Sequence, residues 1–188
     1  ADVHRLRASS SAILSGIGTV LADDPQLNAR CEGLADIKQP VRVVADSRLQ
    51  LSPDARLLGG DLENAGAVLV YHCNGSPEAV RQLEARGAQV RQLPEVADHL
   101  SLHALLDDLG QQGINNVLVE AGPRLNGALL EAGLVNELVV YQAPRVMGAR
   151  AQGMFALETV ERMADSIEFN LVGARRVGAD LRLNYRMD

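Results

Sequence analysis

Apolar positions in this chain come in short continuous runs, each ended by a polar or glycine-marked turn. Residues 12–15, Val41–Ala45, 67–71 and 88–93 are such runs. A run of this length predicts a strand covered on both faces. Helical segments alternate with these strands. Ser76, Pro77 and Glu78 open a helix that Gly87 closes, and Ser101 opens another that stops near Gly110. A capping hydroxyl at the start and a glycine past the end are the marks of such helices. Ile114, Val117, Leu118 and Val119 form a further strand, followed by a glycine turn at Gly122 and a helix from Pro123 to a stop at Gly133. Proline fits the first helical turn, where no N–H is needed. Glu137–Gln142 reads as another strand.

The period then changes. Ile167, Phe169 and Leu171 alternate with polar residues, and Leu181, Leu183, Tyr185 and Met187 alternate with Arg182, Asn184 and Arg186. A period of two marks half-exposed strands, and Gly178 with Ala179 between the runs predicts a hairpin. The whole predicts an α/β fold: a mostly parallel central sheet flanked by helices, finished by an antiparallel hairpin. No repeat, low-complexity tract or linker interrupts it, and 188 residues fit a single domain, 1–188. Residues 31–40 read as a loop, and the glycine-rich 58–65 stretch as exposed.

Composition narrows the function. Hydrophobic content of 47% supports a packed core, with two Phe, three Tyr and no Trp. Scarce aromatics and a net charge of −6 argue against a general nucleic-acid binder, and the charge argues against an anionic membrane surface. Lys38 is the single lysine, so most positive charge is guanidinium, the group suited to bidentate phosphate contacts. Cys31 and Cys73 stand far apart, and His99 with His103 lack a third ligand nearby, so neither a disulfide framework nor a metal site is indicated. The two separated cysteines fit a reduced, cytoplasmic setting, and neither a membrane-length apolar run nor a signal peptide is visible.

Two glycine turns carry the candidate chemistry. Glu120 ends a strand, the place where open α/β sheets meet ligands. After it, Gly122 and a helix start offer close backbone approach and free N–H donors, a phosphate-binding geometry. The segment lacks the full dinucleotide fingerprint and the lysine of a P-loop, and a capping turn explains it equally well. The second turn, Gly16 to Gly18, leads through Thr19 to Asp23, Asp24 and Pro25. Thr19 is placed to bond a phosphate or to cap the helix. Arg7 and Arg30 flank this turn, and Ser47 with Arg48 follow the Val41–Ala45 strand where a ribose or its phosphate often lies.

Several blocks then resemble one family. Arg5-Leu6-Arg7-Ala8, Ala12-Ile13-Leu14, Gly18-Thr19-Val20-Leu21-Ala22-Asp23-Asp24-Pro25-Gln26-Leu27 with Arg30, Gln39-Pro40-Val41-Arg42-Val43-Val44-Ala45-Asp46-Ser47 and Val117-Leu118-Val119-Glu120-Ala121-Gly122-Pro123 are of this kind. So are Leu134-Val135-Asn136-Glu137-Leu138 and Ala143-Pro144. In order and spacing they are similar to the reductase domain of the bifunctional riboflavin-biosynthesis deaminase/reductase. The resemblance implies a dihydrofolate-reductase-like fold, NADPH as cofactor and a homodimer. It also implies reduction of the ribosyl group of a phosphorylated uracil, 5-amino-6-(5-phosphoribosylamino)uracil, to a ribityl chain. It puts Arg7, Leu27, Arg30 and Glu120 at the substrate, and Thr19, Asp23 and Ser47 at the cofactor. Gly122, Pro123, Arg124, Leu125, Asn126, Gly127 and Ala128 match the segment that wraps the cofactor phosphates. Asp23 and Glu120 are the candidate catalytic groups.

Two departures accompany the resemblance. The zinc signature of the family's deaminase domain is not in this chain. Nor is the strand carrying a Lys-x-Ala-x-Ser-x-Asp-Gly-like motif with which the reductase domain normally begins. Two other readings stay open: another reductase of the same fold, and a catalytically silent nucleotide-binding or assembly domain.

Overall fold

The computed structural model describes residues 2–31, 38–59 and 66–187, in two compact units that divide after Gly122. In the first unit, helix α1 (Asp2–Ser9) leads into β1 (Ala12–Gly16) and α2 (Ile17–Asp23). Strands β2 (Val41–Ala45), β3 (Val68–His72) and β4 (Gln89–Gln92) follow, with α3 (Pro77–Glu84) between the last two. A two-stranded ladder, β5 (Glu95–Val96) and β6 (His99–Leu100), precedes α4 (Leu102–Gln111) and β7 (Val117–Val119). The five main strands pair in parallel in the order β4-β3-β2-β1-β7.

The apolar runs explain the sheet. Ala12, Ile13, Leu14, Val43, Val44, Val70 and Tyr71 are fully enclosed, as strands covered on both faces must be. Val20, Val44, Leu57, Leu58, Val70 and Leu83 belong to one apolar cluster. Ser76 and Ser101 cap α3 and α4, their hydroxyls accepting from the N–H groups of Ala79 and Ala104. Several expectations need correction. The 88–93 run forms a strand only over Gln89–Gln92, and Met187 lies past the last strand. Strand β3 starts at Val68, one residue late. Ile114 lies outside β7, because its N–H closes α4 on the Leu109 carbonyl after Gly113 turns left-handed at φ +78°. Leu58 is buried rather than exposed. Ile167 and Phe169 precede their strand rather than lie in it. Residues 60–65 and 32–37 of the two expected loops lie outside the described residues.

The second unit begins with α5 (Pro123–Glu131), whose end turns at Gly133 with φ +67°. Strands β8 (Glu137–Gln142), β9 (Asn170–Val177) and β10 (Asp180–Arg186) form an antiparallel sheet in the order β8-β10-β9, with the expected hairpin at Gly178. A register shift between Asn184 and Tyr185 lets the Tyr185 ring meet Phe169 edge-on at 6.4 Å. One side of the sheet lines an apolar groove of about 460 Å³ with Leu138, Val140, Met154 and Leu183.

Two polar networks fix the first unit. The buried Tyr71 hydroxyl donates to Asp108 Oδ2 at 2.5 Å, and Arg91 and Gln112 donate to the same carboxylate. Burial and that carboxylate push the Tyr71 hydroxyl far above its ordinary pKa. This network ties α4 to β3 and β4. At the ends of β2 and β3, Asp46 Oδ2 accepts from Leu51 N–H at 2.8 Å and His72 Nδ1 accepts from Gly75 N–H at 3.0 Å. Burial raises the Asp46 pKa and lowers that of His72.

The first network predicts a stability difference. Asp108→Ala leaves the buried Tyr71 hydroxyl proton without its acceptor and removes the partner of Arg91, and should cost about 2 kcal/mol; Tyr71→Phe, which leaves Asp108 its other donors, should cost about 1 kcal/mol. Urea unfolding measures both, and an Asp108→Ala midpoint equal to that of the wild type would contradict the reading. The second network predicts a pH slope. The unfolded chain binds the His72 proton more readily than the folded one, so this contribution is complete above the ordinary value of 6.5 and is lost as pH falls below it. His72→Gln, which keeps an acceptor for Gly75, should flatten the stability profile between about pH 7 and about pH 5. His4, lowered in the same direction, leaves a residual slope, and Asp46 acts with opposite sign. An unchanged profile would contradict it.

Candidate active site

The site forms where β1 and β7 end side by side. Pairing of these strands closes at Leu14 with Val119, yet Glu120 N–H still donates to the Leu14 carbonyl at 2.9 Å. The Ser15 hydroxyl donates to the Glu120 carbonyl at 2.8 Å. Past this point the two glycine turns meet: a methyl built on Gly122 would lie 3.6 Å from Thr19 Oγ1, an ordinary contact. Thr19 does not cap its helix. Helix α2 starts two residues earlier, with Gly16 at its N-cap and no side-chain bond there.

Arg7 and Glu120, 113 residues apart, form a bidentate ion pair. Arg7 Nε donates to Oε1 at 2.8 Å and Nη2 to Oε2 at 2.5 Å. The remaining edge of the guanidinium donates through Nη1 to the Asn28 carbonyl at 3.0 Å. Side-chain exposures of 15% and 24% leave the pair within reach of a ligand. The hydrogen bonds to Glu120 raise the Arg7 pKa further. That Asn28 carbonyl arrives through a sharp reversal. Asp24 and Leu27 are left-handed, with φ of 40° and 50°, a conformation costly for branched side chains. Leu27 itself is buried, so it supplies the turn while its side chain belongs to the core. Asn28 Oδ1 has no hydrogen-bond partner among the described residues.

Arg30 is exposed, and its backbone N–H donates to His4 Nδ1 at 3.1 Å. Burial lowers the His4 pKa, and the Arg7 and Arg30 charges lower it further, so both cations converge on the same region. Asp23 is the exposed last residue of α2. Its neighbour Asp24 is occupied, with Oδ1 accepting from Arg56 N–H at 2.8 Å. Ser47 lies at the end of β2, the other neighbour of β1. Its Oγ accepts from Leu100 N–H at 3.0 Å, which leaves its proton free to donate, and Arg48 beside it is exposed.

The rim of β2, β1 and β7 therefore carries Ser47, Thr19, Glu120 and Gly122 in that order. Arg7 and the 27–30 turn gather at Glu120. The second unit holds the rest of the expected residues on α5. Arg124 and Ala128 are exposed, and the Pro123 carbonyl accepts from Ala156 N–H. Leu125 and Asn126 are half-buried, and Asn126 Nδ2 donates to the Met154 carbonyl. Gly127 allows a close approach: a Cβ there would sit 1.9 Å from the Ala156 carbonyl oxygen. Sequence reasoning missed Ser15, His4 and the Asn28 carbonyl. Ser15 had left a trace, as a small hydroxyl residue closing an apolar run.

Comparison with known proteins gives this geometry a family. The family described as the RibD C-terminal domain matches residues 1–183. The riboflavin biosynthesis protein RibD of Escherichia coli is 40% identical over 193 residues, which cover 97% of this chain and 50% of that protein. The 2,5-diamino-6-ribosylamino-4(3H)-pyrimidinone 5′-phosphate reductase of Methanothermobacter thermautotrophicus is 37% identical over 184 residues, covering 97% of this chain and 82% of that protein. A solved structure of Acinetobacter baumannii RibD superposes with a TM-score of 0.84 at 34% identity, over 98% of this chain and 49% of that one. The chain thus spans about half the length of the RibD proteins it matches. Its architecture, a mostly parallel sheet with an antiparallel hairpin sheet after it, is the dihydrofolate-reductase-like one that the sequence resemblance implies. The chain belongs to the RibD C-terminal domain family.

Proposed function

We propose that this chain is the reductase part of a riboflavin-biosynthesis enzyme. It reduces the ribosyl group of 5-amino-6-(5-phosphoribosylamino)uracil to the ribityl chain, using NADPH. The observation that carries the reading is the Arg7–Glu120 pair at the end of β7, beside the glycine turn that meets Thr19. The names of two relatives point the same way, one the reductase quoted above and one a 5-amino-6-(5-phosphoribosylamino)uracil reductase of Buchnera aphidicola, 29% identical.

The residues present fit a phosphorylated nicotinamide dinucleotide. Gly122 brings its turn close to the Thr19 hydroxyl, and Ser47 retains a proton to donate, with the Arg48 cation beside it. Within the expected segment, the first turn of α5 would offer the main-chain N–H groups of Arg124 and Leu125 to a phosphate. When bound, the cofactor supplies a hydride to C1′ of the ring-opened sugar. The protein orients the substrate for this step. Glu120 accepts hydrogen bonds from it, while Arg30 and the remaining N–H groups of Arg7 face its phosphate. Leu27 shapes the turn beneath. Asp23, or a water in its place, returns the balancing proton. In the complete cytoplasmic protein a deaminase domain accompanies this one. A homodimer would cover the apolar groove on the antiparallel sheet and the exposed Leu171 and Val172 nearby.

Assays of the complete protein test the reading. NADPH should be oxidised in the presence of the uracil substrate, and faster than NADH. Glu120→Gln and Arg30→Ala should each lower kcat/KM at least about tenfold while the protein stays folded. Unchanged turnover in both variants would sink the assignments, and NADPH binding without turnover on any pterin or uracil would favour a silent nucleotide-binding domain. Light scattering should give twice the protomer mass, and Leu183→Glu should shift it toward the monomer. A monomeric wild type would remove the dimer.

A further inference from the structure

Strand β1 opens with three enclosed apolar residues and then buries a hydroxyl. Ser15, like Ala12, Ile13 and Leu14, has no exposed surface. An apolar side chain would fill the position without the cost of burying a polar group, so the hydroxyl is retained for the bond it makes. That bond goes to the Glu120 carbonyl at 2.8 Å. It lies one step beyond the last main-chain bond of the ladder, from Glu120 N–H to the Leu14 carbonyl. Together the two bonds fix both peptide planes that flank the Glu120 side chain. The direction of the carboxylate and the start of the Ala121–Gly122 turn both depend on those planes.

Glu120 is thus held from two sides of different character. The Arg7 side is part-exposed and open to exchange with an anion. The Ser15 side is sealed from solvent. We infer that Ser15 is a positioning residue: it fixes the direction of Glu120 independently of Arg7, so the carboxylate stays aimed when Arg7 engages an anionic group. The inference rests on the reading of Glu120 as a substrate contact.

The test uses the complete protein with Ser15→Ala and the equal-volume pair Ser15→Thr and Ser15→Val. Ala and Val should lower kcat about tenfold with KM for NADPH unchanged, and Thr, which keeps the hydroxyl, should stay within about threefold of the wild type. A second measurement needs no turnover: the NMR signal of the Arg7 Nε–H that donates to Glu120, assigned by its loss in Arg7→Lys. It should stay sharp and slowly exchanging in the wild type and Thr, and broaden in Ala and Val while the backbone spectrum remains folded. An unchanged Arg7 signal in folded Ala and Val variants would overturn the inference. So would a changed signal with unchanged kcat, because the position of Glu120 would then not matter to turnover. A Thr variant that falls as far as Val would assign the effect to packing and overturn it too. If the wild type shows no reductase turnover, the functional reading fails, and the Arg7 signal still decides whether Ser15 holds Glu120.

Discussion

Strand β1 is paired on both sides and sealed from solvent along residues 12–15, and the candidate site is built outward from it. Its neighbours β2 and β7 can place Ser47 and Glu120 only because their registers against β1 are fixed. A parallel ladder buried on both faces has little freedom to slip, since a one-residue shift would put side chains of the wrong volume into a close-packed interior. The Leu14 carbonyl and the Ser15 hydroxyl carry that register one residue past the end of β7. Glu120 and the turn after it therefore inherit the rigidity of the sheet while standing outside it.

The Arg7–Glu120 pair depends on this frame and on a second one. Arg7 comes from α1, which buries no residue completely, and its third bond goes to a carbonyl in a left-handed turn. Hydrogen bonds to charged groups contribute roughly 1.5–3 kcal/mol when well formed, and less when water competes. At 15% and 24% exposure the pair lies between these limits. It is firm enough to hold two side chains in one geometry, and open enough for an anionic ligand to share the guanidinium. A fully buried pair would resist such exchange, because separating the charges would strand one of them in a medium of low polarity.

Much of the sheet was legible in the sequence. Val41–Ala45 and Glu137–Gln142 formed with the expected limits, because continuous apolar runs leave few alternatives. The serine caps at Ser76 and Ser101 were equally plain. Helix α1 was not, since Val3 and Leu6 make too thin an apolar stripe to announce it. Leu58 was misjudged because the glycines after it dominate the local composition, whereas its own side chain enters the core cluster. At the site, Glu120 and Gly122 could be picked out as the end of a strand and the turn after it. Their partners could not. No spacing rule links Arg7 to a carboxylate 113 residues away, and the Asn28 carbonyl is a backbone group that every residue type possesses.

The buried polar side chains share one habit that explains why these loops keep their shape. Apart from the Tyr71 hydroxyl, which bonds to Asp108, they are, among the described residues, Ser15, Arg42, Asp46 and His72. Each bonds to main chain. Ser15 holds the Glu120 carbonyl, and Arg42 the Leu57 and Gly66 carbonyls. Asp46 holds the Leu51 N–H, and His72 the Gly75 N–H. Apolar burial holds the strands together, but it has no direction and cannot specify the course of a loop. A directional bond from an immobile side chain can. Three of the four stand near or just past the ends of β1, β2 and β3, the rim that carries the candidate site. Removing such a bond frees a loop while leaving the sheet intact, which separates the forces that fold this unit from those that aim its site.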